Sequence, residues 1–253
     1  MIISDVPNLT SIITITKTMY LLKNESYWTG IKINKELIAL TSNKNLPKGK
    51  DKVIFYNYFK RKFDKYVENY SFTLSQNTLA LMPKKSGVNI EQDKNLNKIL
   101  ICACKKYEHG HKNGILLLNL DLSDGLGEIY ETFLETQNFE VYCLCPLFNL
   151  VGNEILNCEN NELIETNQFL VGGFNSDTNQ GMIKLYEVNY NNNHEKPEIK
   201  FIKDFGRGIT MKEEKDELFK GYITCIAQSK YDRKLLVTCS DGNIYSLNLK
   251  DYS

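Results

Sequence analysis

Four of the chain's seven cysteines fall in two pairs, Cys102-Ala103-Cys104 and Cys143-Leu144-Cys145. Residues two apart on a strand face the same side, so each pair could present two thiolates to one ion. Four thiolates complete a tetrahedral zinc site if the two strands meet. Two facts weigh against this. Zinc ligands are usually separated by a turn that bends the chain around the metal, and cysteine is also a small residue that is often buried. Buried thiols in inner strands are the favoured reading. Glu108-His109-Gly110-His111 is the other cluster with ligand chemistry. Two histidines in a glycine-containing hairpin loop could hold a metal with help from Cys104, but the third histidine, His194, sits in a remote polar insertion. A solvated loop is favoured there.

Other chemistry-bearing patterns are weaker. Gly125-Leu126-Gly127 and Gly206-Arg207-Gly208 do not stand between a strand and a helix, as a phosphate loop must, and read as turns. No serine elbow and no Cys/His nucleophile signature is present, and the carboxylates are scattered through polar segments. The sequence therefore points to no catalytic residue, no metal and no cofactor, and to a protein that is not an enzyme.

The elements that would position these residues are short strands. Apolar runs are brief and bounded by Gly, Asn, Asp or Pro. Ile99 to Cys104 is continuously apolar, as expected of a strand covered on both faces. Ile183, Leu185 and Glu187 alternate with Met182, Lys184 and Tyr186, the period of a strand. Gly172-Gly173 marks a bulge or a close strand approach. Trp28, the one tryptophan, reads as core in an inner strand, with a pocket rim as the alternative.

These runs group into four units. The first spans Tyr27–Ile33, Leu37–Thr41, Lys52–Tyr58 and Phe63–Val67. The second spans Thr78–Met82, Ile99–Cys104, Gly114–Leu120 and Ile129–Phe133. The third spans Phe139–Cys145, Gln168–Phe174, Gly181–Val188 and Ile199–Phe205. The fourth has three strands, Tyr222–Gln228, Lys234–Cys239 and Asn243–Leu249. Polar insertions at Lys84–Asn97, Val151–Asn167 and Asn189–Pro197 lengthen the spacing. Met211–Lys220 is charged with no broad apolar face, and reads as a solvated loop with at most one helical turn. Ser11–Thr16 and Thr18–Leu22 are further strand-like runs that could complete the last unit.

Repetition of such units predicts an all-β, β-propeller-like fold of four-stranded antiparallel blades. About four to five units are expected, within a single domain over residues 1–253 or as part of a larger propeller. Thr238-Cys239-Ser240-Asp241-Gly242-Asn243-Ile244-Tyr245-Ser246-Leu247-Asn248-Leu249 resembles the second and third strands of a WD40 repeat, and Phe219 to Ala227 resembles its start. Leu247-Asn248 replaces the family's Trp-Asp, and Gly221-Tyr222 replaces Gly-His. The resemblance implies a divergent WD40-like propeller serving as a rigid platform for protein partners, without catalysis.

Composition narrows the partners. Lys plus Arg and Asp plus Glu number 31 each, so the formal net charge is zero. A nucleic-acid binder usually carries a basic excess, and the clusters Lys60-Arg61-Lys62 and Lys105-Lys106 read as solvated edges. No segment reaches transmembrane length and the start lacks a secretory pattern. Seven cysteines without framework spacing fit a reducing compartment. The expectation is a cytoplasmic scaffold that binds other proteins, with no nucleic-acid and no membrane partner.

In a propeller, loops between second and third strands share one face with loops between blades. That face would gather Asn43–Lys50, Lys105–Asn113, Asn175–Gln180 and Gly206–Lys220, and would carry Tyr107, His109, His111 and Arg207 as partner contacts. The alternative is a propeller enzyme with a metal or small-substrate site in these loops, first at His109 and His111.

Overall fold

The computed structural model describes residues 26–43, 51–72, 78–83, 88–89, 98–107, 111–122, 125–151, 162–189, 197–229 and 234–248. Its regular structure is all strand among these residues. The first unit is a meander of β1 (Ser26–Lys32), β2 (Leu37–Asn43), β3 (Asp51–Asn57) and β4 (Lys62–Phe72). The second contains β5 (Leu79–Pro83), β7 (Lys98–Tyr107), β8 (His111–Leu120) and β9 (Ile129–Gln137), with β6 (Val88–Asn89) between β5 and β7 in the chain. The third is β10 (Phe139–Val151), β11 (Glu162–Asn175), β12 (Gln180–Asn189) and β13 (Glu198–Phe205). The fourth joins β14 (Arg207–Thr210), β15 (Asp216–Leu218), β16 (Ile223–Gln228), β17 (Lys234–Cys239) and β18 (Ile244–Asn248). Every pairing is antiparallel. The first two units are joined where β4 and β5 pair end to end along one edge of β7.

Three apolar layers hold the units face to face. The first lies between units one and two and includes Phe55, Val67, Leu100, Cys102 and Leu118. The second lies between units two and three and includes Ile99, Ile101, Ile115, Phe169 and Tyr186. The third lies between units three and four and includes Cys143, Leu170, Ile183, Val237 and Tyr245. The continuous run Ile99 to Cys104 is explained by this stacking. Its even-numbered members face the first layer and its odd-numbered members the second, so every residue of the run is buried. The same alternation on β12 sends Ile183 and Leu185 to the third layer and Met182, Tyr186 and Val188 to the second.

The units also meet along matching strands. β1 touches β5, β5 touches β10 and β10 touches β16, so the first strands of successive units are neighbours. At the other margin of the third unit, β13 is largely exposed and buries Phe205 alone.

Two segments differ from the sequence reading. Residues 206–220, expected to be a charged loop, contain the hairpin β14–β15, and β14 pairs with β18 through Ile209↔Ser246 and Thr210↔Tyr245. The fourth unit thus draws an additional strand from the segment preceding its first one. Only Gly208 and Thr210 of β14 turn inward, too short an alternation to stand out within a charged run. Part of the insertion expected at Val151–Asn167 is strand: β10 runs beyond Cys145 to Val151 and pairs with β11, which begins at Glu162. The strand-like runs at Ser11–Leu22 lie outside the described residues.

Candidate functional site

The connections from unit two to unit three and from unit three to unit four come together at one end of the stack. Asn113 Nδ2 donates to Gln137 O at 3.2 Å, tying the β7–β8 hairpin to the end of β9. Asn138, the single residue between β9 and β10, donates from Nδ2 to both carboxylate oxygens of Asp177, at 2.9 and 2.8 Å. It also accepts from Ser176 N at 3.0 Å. Gly181 N donates to Phe219 O at 3.2 Å, and the Tyr222 and Ser240 segments exchange hydrogen bonds of 3.1 and 3.0 Å. Turns of units two, three and four are therefore tied to one another and to the linkers.

Local sequence explains these turns. The Asn175 side chain accepts from the Asp177 amide at 2.9 Å, an Asx turn that reverses the chain between β11 and β12. Asp241 accepts from the Asn243 amide at 3.0 Å, and Gly242 adopts φ of 85°, a conformation glycine reaches without a Cβ clash.

Next to these turns a polar and aromatic chain runs across three units. Lys105 of β7 meets Glu140 of β10, with Nζ to Oε1 at 2.8 Å. The Tyr142 hydroxyl donates to the second Glu140 oxygen at 2.8 Å. The Tyr142 ring stacks on Tyr222, with centroids 4.7 Å apart. Tyr222 is 42% exposed, so the stack presents aromatic surface to solvent. The Lys105 hydrogen bond, then that of Tyr142, hold the Glu140 carboxyl below its usual range despite some burial. Burial, and then the bond to Glu140, push Tyr142 up to about 12.

A β-bulge aims these side chains. On β10 the register shifts between Val141 and Cys143, opposite Gly173 and Gly172 of β11. Phe139 and Val141 face the second layer, whereas Cys143 and Cys145 face the third, so Tyr142 is the extra residue of the bulge. The glycine pair makes room. A Cβ on Gly173 would lie 2.0 Å from Glu140 O, and one on Gly172 would lie 2.6 Å from Cys143 Sγ. Gly172-Gly173 was the sequence signal for this feature, but nothing local says that the bulge falls on the partner strand at Tyr142.

The residues expected to bind partners are placed as follows. Tyr107 and His111 face each other as the last pair of the β7–β8 hairpin, in strands and not in a loop. His109 lies outside the described residues, as do the side chains of Tyr107, His111 and Trp28 and the 44–50 segment. Arg207 opens β14, one residue after Gly206, whose carbonyl accepts from Phe219 N at 3.1 Å. Its guanidinium is exposed and meets Asp216, with Nε to Oδ2 at 3.3 Å. Lys105, Glu140, Tyr142 and Tyr222 were not singled out as contacts, because they come from three units and converge only on folding.

The two cysteine pairs do not meet. Cys102 and Cys104 belong to the first layer, Cys143 and Cys145 to the third, with the second layer between them. Burial raises all four thiols, Cys145 to about 12. Among the described residues no group of three His, Cys, Asp or Glu side chains is arranged to hold a metal. An open groove of about 510 Å³ lies between the outer strands β4 and β9, lined by Asp64, Lys65, Tyr66, Val67, Glu128, Ile129 and Glu131. It sits at the Ile129 end of β9, away from Gln137 and the gathered turns. Comparison of the chain with protein-family models, curated proteins and solved structures gave no match.

Proposed function

We propose that this protein is a divergent WD40-like β-propeller that binds other proteins as a non-catalytic scaffold in the cytoplasm. Successive units of four to five antiparallel strands packed face to face, with neighbouring strands β1, β5, β10 and β16, support the propeller reading. The observation that carries the functional reading is the end of the stack where linkers and turns are hydrogen-bonded together beside the exposed Tyr142–Tyr222 stack. Tyrosine and arginine supply much of the energy at protein interfaces, and side chains held on an ordered frame lose little entropy on binding. Arg207 stands next to the same linkers, and Tyr107 and His111 close the neighbouring hairpin.

Affinity capture with mass spectrometry tests the reading. Wild-type protein is compared with a Tyr107→Ala/His109→Ala/Arg207→Ala variant and with Tyr222→Ala. A discrete partner set weakened in both variants is the expected result. The same partners at the same levels in all three proteins would refute this face, and no specific partner from folded wild-type protein would refute the scaffold.

A further inference from the structure

The basic cluster Lys60-Arg61-Lys62 closes the turn between β3 and β4, and the tip of that turn is Phe59. Phe59 is 68% exposed, more than any other large apolar side chain among the described residues. The turn is fixed from below. Buried Asn57 accepts from Lys60 N through Oδ1 at 2.9 Å, and the Phe59 ring stacks on Tyr58 with centroids 5.0 Å apart. Tyr58 N donates to Glu36 O at 3.0 Å, which joins the tip to the β1–β2 turn and brings Lys35 beside it. Lys35, Lys60 and Arg61 are exposed, and none of them forms an ion pair among the described residues. Lys62 meets Asp64 at 3.6 Å. The formal neutrality of the whole chain conceals this local excess. From the turn, β4 runs to Tyr70 and Phe72, which pair with Lys106 and Cys104 of β7, so the tip stands at the end opposite the β7–β8 hairpin.

We propose that this tip docks on an anionic lipid bilayer, with Phe59 entering the interface and Lys35, Lys60 and Arg61 meeting the headgroups. An apolar ring among cations matches a boundary that is negative at its surface and apolar beneath it. Shape selects the bilayer over other anionic partners. The tip is convex and suits a plane, whereas a peptide docks in a groove or along a strand edge and single-stranded nucleic acid follows a track of cations. At the same end the turn after β8 carries Asp121 and Glu128, so the positive surface is confined to unit one and contact is made by the tip alone. Each cation near an anionic surface strengthens binding about fivefold, so three cations and one ring give weak, reversible docking. The opposite end, with the Tyr142–Tyr222 stack, stays free for a protein partner, and the inference does not depend on that partner.

Co-sedimentation of the full chain with vesicles tests the proposal, using an equimolar mix of phosphatidylserine and phosphatidylcholine beside phosphatidylcholine alone. Wild-type protein should sediment with the anionic vesicles only, and less as salt is raised. Lys60→Ala/Arg61→Ala should lower the partition coefficient about thirtyfold, and Phe59→Ala about tenfold. Lys200→Ala/Phe201→Ala, which removes an exposed lysine and aromatic from β13, should bind like wild type. Phe59→Trp should keep binding, and lipids brominated on their acyl chains should quench its emission beyond any quenching of wild type. Folded wild-type protein that ignores the anionic vesicles overturns the proposal, as does full binding by either turn variant. Equal binding to both kinds of vesicle also overturns it, since charge would then play no part. Capture by single-stranded RNA or polyglutamate without vesicle binding would overturn it and give the tip to that partner.

Discussion

Glu140 accepts from two neighbours on different strands, and both bonds favour its charged form. Its folded pKa is depressed, so its contribution to stability is present above the ordinary carboxylate value of 4.5 and is lost as pH falls through the lowered value. The Lys105–Glu140 pair is more than a third exposed on each side, so solvent screening keeps that contribution small. The clearer readout is the phenol. Tyr142 should titrate near 12, against 10.0 for an ordinary tyrosine, in a pH series on protein labelled with 13C at the tyrosine rings. Glu140→Gln should lower that value without restoring it fully, since burial is the larger cause. A Tyr142 titration unmoved by Glu140→Gln would show that the hydrogen bond does not form in solution.

At the scale of elements, the bulge on β10 decides which layer each side chain enters. It sends Cys143 and Cys145 to the layer beyond the one that holds Val141, and it leaves Tyr142 to meet Tyr222. The two glycines opposite are unequal in consequence. At Gly173 an added Cβ meets the Glu140 carbonyl, which is backbone and cannot rotate away; at Gly172 it meets the Cys143 and Ile223 side chains. Gly173→Ala should therefore cost more than Gly172→Ala. Both should fall at or above the ~1–3 kcal/mol typical of overpacking. Urea titrations of both variants check this. If Gly172→Ala proved the costlier change, the bulge would not depend on Gly173 for its close approach.

For the whole molecule, adjacent layers share strands. β7 and β8 face the first and second layers, and β10 and β11 face the second and third. Losing one layer therefore strips a face from strands that serve the next, which favours unfolding as one unit. The cysteines report on this from within. Cys102 and Cys104 sit in the first layer, while Cys143 and Cys239 sit in the third. Pulsed thiol labelling through a urea series, read by mass spectrometry, should show one midpoint for all four. Separate midpoints would mean that the units unfold independently and that the shared strands do not couple them.

Much of this protein is set by periodicity along the chain. The all-strand content, the grouping into four meanders and the two-sided burial of Ile99 to Cys104 are legible because alternation of side chains and turn residues are local properties. The short hairpin β14–β15 was not legible, since four residues within a charged run carry too little pattern, and its place was decided by the open edge of β18. Only the tertiary structure separated the two cysteine pairs: Cys102 and Cys104 face the first layer, whereas the two faces of β10 line the second and third, a stacking order that no local spacing records. The same holds for Lys105, Glu140, Tyr142 and Tyr222. They lie on three units, and their meeting depends on how sheets stack, a long-range outcome of burial and not of neighbouring residues.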